Sequence, residues 1–85
     1  MNDLVVYAWQ KSSREEVRAL LREFNGHRLA DLRVFVPDGQ GGAKPTPKGL
    51  AIRVEDLAHL RDAVDALLSS SSAFTFESSA EAVRA

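Results

Sequence analysis

The chain has no cysteine, one methionine, one tryptophan, one tyrosine and two histidines among its 85 residues. Without cysteine there are no disulfide staples and no thiolate metal ligands. His27 and His59 are too far apart in the chain to form a recognisable zinc set, so no metal or cofactor is expected. Long hydrophobic runs are also missing. The longest, Leu4-Val5-Val6-Tyr7-Ala8-Trp9, is too short to span a bilayer and lacks the flanks of a signal peptide. A soluble cytoplasmic protein without membrane partners is expected, nucleoid-associated if the source is bacterial. No nucleophile–base constellation or acid–base carboxylate pair stands out, and the expectation is a protein that is not an enzyme. The segment "GQGGAKPT" superficially resembles a phosphate-binding loop. Ala43 takes the place of its required glycine, Pro45 replaces the Ser/Thr after Lys44, and a strand follows where a helix is needed.

A strong net charge is lacking as well, but the value of −1 hides a split. Residues 1–53 carry nine Lys/Arg against six Asp/Glu, and residues 54–85 carry two against six. A basic working surface backed by an acidic element would give this pattern, and so would chance in a short chain. The chain is also short for a self-sufficient core. About 60–65% of the unfolded surface is buried at this length, so sharing a core with a second copy is an expected remedy.

Leu57, Leu60, Val64, Leu67 and Leu68 recur at helical spacing across Glu55 to Leu68, with Asp56, Arg61, Asp62 and Asp65 off the stripe. Leu57, Leu60, Val64 and Leu67 make this the candidate dimer helix. Ahead of it, Gly49 opens Leu50 to Val54, whose alternation predicts a half-buried strand. "PDGQGGAKPTP", between Pro37 and Pro47, reads as a glycine- and proline-rich connection with room for a short strand. Residues 1–68 are expected to form the domain, and 69–85 a Ser-rich linker and C-terminal tail. Phe74 and Phe76 in that tail are candidates to dock on the body or on a partner chain.

Residues 13–24 admit two readings. Ser13 and Glu16 have capping-box spacing, and Val17, Leu20, Leu21 and Phe24 form a helical stripe. Asn25-Gly26 would then stop a helix. The same dipeptide is a strong two-residue hairpin signal, because both turn positions need positive φ. In that hairpin Val17 faces Val34, Ala19 faces Leu32, Leu21 faces Ala30, and Glu23 meets Arg28 as an opposite-charge pair. The other face gathers Arg18 beside Arg33, Leu20 beside Asp31, Arg22 beside Leu29, and Phe24 beside His27. The hairpin accounts for residues on both sides of the turn, and is preferred. Two arginines directly across a ladder repel, at less cost if an anion lies between them.

With the hairpin in place, the chain resembles a known family. A Phe-x-Gly turn (Phe24, Gly26), Asp-x-Arg (Asp31, Arg33), a glycine-containing loop, Lys-Pro-x-x-Lys-Gly (Lys44, Pro45, Lys48, Gly49), an alternating strand and a terminal amphipathic helix follow in order. This is similar to the single-stranded-DNA-binding domain of the positive cofactor four family of transcriptional coactivators, including its short bacterial members, over about residues 9–68. Trp9 and Lys11, ahead of Arg14 and Glu15, resemble the lead-in of the bacterial members. The resemblance implies an α+β fold of four antiparallel strands forming a curved sheet, then a C-terminal helix, as a homodimer that grips single-stranded DNA. It also implies contacts at Arg22, Phe24, Arg33, Lys44 and Lys48. Asn25 and His27 stand where eukaryotic members tend to place lysines, and Val36 where they place an aromatic, which implies weaker and more salt- or pH-sensitive binding.

The residue types suit such a ligand. Single-strand binders combine cations along the phosphates with flat side chains under the bases. Arg18, Arg22, Arg33, Lys44 and Lys48 supply the first, with His27 beside them; Phe24 supplies the second, with Phe35 and Trp9 as further stacking candidates. Each has a duller reading: Phe24 as a lid on the core end, the arginines as solvated surface, Trp9 and Tyr7 as packing. The expected function is single-stranded DNA binding with little sequence preference, serving transcription or replication and repair, with the transcription machinery as a partner. RNA is an open ligand. The alternative is a protein-interaction dimerisation module of the same fold that binds no nucleic acid.

Overall fold

The computed structural model describes residues 3–74. Its elements run β1 (Leu4–Gln10), β2 (Glu16–Phe24), β3 (His27–Pro37), β4 (Ala43–Arg53), a 3₁₀ turn (Val54–Asp56) and α1 (Leu57–Ser71). The strands form one antiparallel sheet in the order β1-β2-β3-β4. Asn25 (φ 52°) and Gly26 (φ 78°) turn β2 back into β3, so this dipeptide makes a hairpin and does not end a helix.

The β2–β3 ladder has the register set by that turn: Val17 opposite Val34, Arg18 opposite Arg33, Leu20 opposite Asp31, Phe24 opposite His27. Alternation therefore gives the sheet two unlike sides. One carries Val17, Ala19 and Leu21 with Ala30, Leu32 and Val34, extended across β4 by Leu50 and Ile52. The other carries Arg18, Leu20, Arg22 and Phe24 with His27, Leu29, Asp31, Arg33 and Phe35.

Two elements differ from expectation. β4 begins at Ala43, inside the segment that reads as a connection with room for a short strand, and ends at Arg53, so Val54 joins the 3₁₀ turn. Its two prolines are tolerated because β4 is an edge strand, and because the ladder shifts register between Arg33 and Phe35. The helix starts at Leu57 and continues past Leu68 through three serines to Ser71, so the domain boundary at residue 68 falls within α1. Glu55 and Asp56 precede it in the 3₁₀ turn. Phe76 and the rest of the tail lie outside the described residues.

A single chain leaves most of its apolar surface uncovered. Leu20 and Val34 are the buried hydrophobic side chains among the described residues. A cavity of 290 Å³ opens between the apolar side of the sheet and the start of α1, lined by Val6, Leu21, Leu32, Ile52, Leu57 and Leu60. Beyond it the helix projects without burial, with Val64 44%, Leu67 69% and Leu68 67% exposed. No helix among the described residues is long and apolar enough to cross a membrane.

Candidate nucleic-acid interface

The polar side of the sheet is built from alternate residues of one hairpin, which is why the turn decides its content. Arg18, Arg22, Arg33, Phe24, His27 and Phe35 all fall on it. Phe24 is exposed beside the turn. At the other end of the hairpin, the Arg18 guanidinium lies over the Phe35 ring, 4.4 Å from its centroid, so Phe35 already has a cation on one face. Arg18 Nε donates to Glu16 Oε1 at 2.7 Å.

The protein supplies its own anions to these arginines, a separate carboxylate for each member of the Arg18–Arg33 pair. Asp31 is 2% exposed, and its carboxylate accepts from Arg22 Nη1 at 2.7 Å and from Arg33 Nε at 3.0 Å. Arg33 Nη1 in turn donates to the Thr46 carbonyl at 3.1 Å, in the irregular part of β4. Gly49 allows this approach: a Cβ there would stand 2.4 Å from the Leu32 carbonyl oxygen and 3.0 Å from Arg33 Cζ. The repulsion anticipated between paired arginines is thus relieved internally, by Asp31 for Arg33 and by Glu16 for Arg18. Arg22 also approaches Asp3, at 3.5 Å.

The remaining candidates stand elsewhere. Trp9 pairs with Val17 on the apolar side and tilts against Tyr7, with ring centroids 6.1 Å apart. Lys44 pairs with Val36, also on that side by register. Lys48 rims a groove floored by Val17, Leu32, Val34 and Leu50, opposite Lys11. Glu15 joins the two lysines, accepting from Lys11 Nζ at 3.2 Å and from Lys48 Nζ at 3.4 Å. The Lys11 hydrogen bond and charge, followed by Ser12 and Lys48, hold the Glu15 carboxyl below its ordinary 4.5 against a smaller opposing effect of desolvation. The structure therefore brings five of the seven proposed cationic and aromatic contacts to one side, and sets Lys44 and Lys48 apart with Trp9. Sequence reasoning overlooked Asp31, Glu15 and Glu16 as organisers. For Asp31 the signal was present, since it shares a face with Arg33 two residues on and with Arg22 on the neighbouring strand.

Among the described residues no cluster of His, Asp or Glu could hold a metal ion. The surface offers cations, flat rings and hydrogen-bond donors, which suit an extended anion carrying planar groups.

Comparison with known proteins bears on this surface. Residues 9–63 match the family model described as Transcriptional Coactivator p15 (PC4). No curated protein sequence matches the chain. Among solved structures, the chain is similar to BPSL1147, a PC4 homologue from Burkholderia pseudomallei K96243, in two crystal forms. The tetragonal form superposes with a TM-score of 0.70 at 33% identity, covering 81% of this chain and 98% of that one. The orthorhombic form gives 0.67 at 35% identity, covering 78% and 86%. A bacteriophage T5 homologue of the eukaryotic coactivator PC4, implicated in recombination-dependent DNA replication, shares the fold at 23% identity, with a TM-score of 0.65 over 99% of this chain and 96% of that one. The sheet, its register and the family match agree, and the chain belongs to the PC4 family of transcriptional coactivators.

Proposed function

We propose that this protein is a homodimer that binds single-stranded DNA with little sequence specificity, in transcription regulation or in replication and repair inside the cell, and that it is not an enzyme. The observation that carries the reading is the sorting of the β2–β3 hairpin. Arg18, Arg22, Arg33, His27, Phe24 and Phe35 share one side, while the other carries Val17, Ala19, Leu21, Leu32 and Val34, and Leu50, Val64, Leu67 and Leu68 stand exposed. Membership of the PC4 family supports a DNA-binding role, and the T5 homologue's link to DNA replication supports the second process. Cations meet phosphates, and Phe24 meets bases whose identity matters little to stacking. The apolar side supports self-association, because a second copy would cover Leu50, Val64, Leu67 and Leu68 at once.

One observation favours a second reading. Each of the three arginines already has a carboxylate partner within the protein. A sheet so neutralised would suit a dimeric protein-interaction module that binds no nucleic acid. Competition separates the two: a labelled oligothymidine bound to the protein is challenged with unlabelled single strand, duplex of the same length, and RNA. Displacement by single strand well before duplex supports the proposal, and displacement by RNA at equal concentration widens the ligand to both polymers. Failure of any oligonucleotide to bind leaves the interaction module.

A further inference from the structure

We propose that Asp31 is a positioning residue of this surface, holding Arg22 and Arg33 as one preorganised pair that meets phosphate together. The inference rests on the single-strand-binding reading above and adds a role for a residue that does not touch the ligand. Its basis is a buried acid in an unexpected place. Leu20 lies directly across the ladder from Asp31, and an apolar residue at position 31 would pack there without any desolvation cost. The chain instead buries a carboxylate to 2% exposure on the side that carries its arginines.

The geometry shows what the carboxylate does. Asp31 Oδ2 accepts from Arg22 Nη1 at 2.7 Å, and Arg33 Nε spans both oxygens at 3.0 and 3.3 Å. Arg33 Nη1 is held by the Thr46 carbonyl, so Nη2 is its donor without a protein partner among the described residues. Arg22, 41% exposed at the side chain, has its Nη2 in an ion pair with the exposed Asp3 at 3.5 Å, a longer contact than its 2.7 Å bond to Asp31. Each guanidinium is thereby fixed by one edge to the protein and presents another. The rotamer freedom of two long side chains is spent during folding and not during binding.

Asp31 has a second possible effect, competition with phosphate for the same arginines, and the structure argues against it. A phosphate would have to displace a carboxylate whose side chain is 1% exposed and which takes donors from two arginines. Asp31 therefore stays paired in the complex, and the carboxylate a phosphate displaces is the exposed Asp3 on Arg22, which leaves two arginines and one acid with a net positive charge facing the ligand.

The two effects have opposite signs in a binding experiment. Fluorescence anisotropy of a labelled oligothymidine of about 20 nucleotides is measured at several salt concentrations with wild type, Asp31→Asn and Arg22→Lys. Circular dichroism and sedimentation check each variant's fold and assembly. Positioning predicts about tenfold weaker binding for Asp31→Asn despite its added positive charge. Competition predicts tighter binding with a steeper salt dependence, which would overturn the proposal. If Asp31→Asn does not fold, Arg22→Lys decides. It keeps the charge but loses the planar fork, so positioning predicts several-fold weaker binding, and wild-type affinity would overturn the proposal. An oligonucleotide that fails to bind wild type at any salt would overturn the reading beneath it, a result distinct from either variant behaving like wild type.

Discussion

Phe24 and Gly49 mark the two ways a single residue matters to this surface. Phe24 is 64% exposed beside the hairpin turn, so its ring contributes little to the core of the chain. Phe24→Ala should leave the melting temperature nearly unchanged and weaken single-strand binding by about 1–3 kcal/mol, the value of one stacked base. Anisotropy titration beside a thermal melt checks both halves of that statement. Gly49 touches no ligand, yet a methyl group there would meet the Leu32 carbonyl at 2.4 Å and crowd the Arg33 guanidinium. Gly49→Ala should cost roughly 1–3 kcal/mol of stability, read from the urea midpoint. At this level the sequence was legible where alternation and turn chemistry decide, as in the pairing of Arg18 with Arg33. It was illegible where side chains reach diagonally. Hairpin register puts Asp31 on one face with Arg22 and Arg33, but does not say that both guanidinium groups bond to it, nor that Glu16 takes Arg18.

Among the elements, the hairpin was readable because an Asn-Gly turn and two alternating strands make the same demand. β4 starts earlier than its alternation predicts, because Pro45 and Pro47 are strand breakers in a central strand, while an edge strand with a local register shift accommodates them. The helix was readable as a stripe, and its overrun into Ser69–Ser71 was not, since serines carry no apolar period. The loop between β1 and β2 has its own tie to β4 through Glu15, Lys11 and Lys48. Because the Glu15 carboxyl lies below its ordinary 4.5 in the folded chain, this tie is present above that value and is lost as pH falls through the lowered one. An NMR titration should show Lys48 and Lys11 resonances moving together with the Glu15 carboxyl in that acidic range. Lysine resonances indifferent to the Glu15 titration would show that the tie does not form in solution.

For the molecule as a whole, the decisive feature is that one chain cannot cover its own apolar side. Only Leu20 and Val34 are buried hydrophobics among the described residues, whereas Leu50, Val64, Leu67 and Leu68 stand open. Burying one leucine is worth about 1.5–3 kcal/mol, so a second copy that covers several of them alters the stability of the fold itself. Thermal stability should therefore rise with protein concentration, and Val64→Asp combined with Leu67→Asp should shift sedimentation to the monomer and lower the melting temperature. Wild-type stability independent of concentration, with a monomeric mass, would contradict the shared core. The split between a basic residue range 1–53 and an acidic 54–85 becomes intelligible here, because the sheet carries the arginines and α1 carries Asp62 and Asp65.

If the arginine-bearing side of the sheet neutralises the phosphates of a single strand, as proposed, binding must weaken with salt by a fixed amount per contact. Arg18→Gln is the cleaner charge variant, since removing both Arg22 and Arg33 would strand the buried Asp31 carboxylate without a partner. With Arg18, Arg22 and Arg33 each meeting one phosphate, the log–log slope of affinity against salt for one protomer should be about −2, at about −0.7 per contact, and Arg18→Gln should make it shallower by one contact. A slope near zero, or an unchanged slope in Arg18→Gln, would show that these arginines do not meet phosphates.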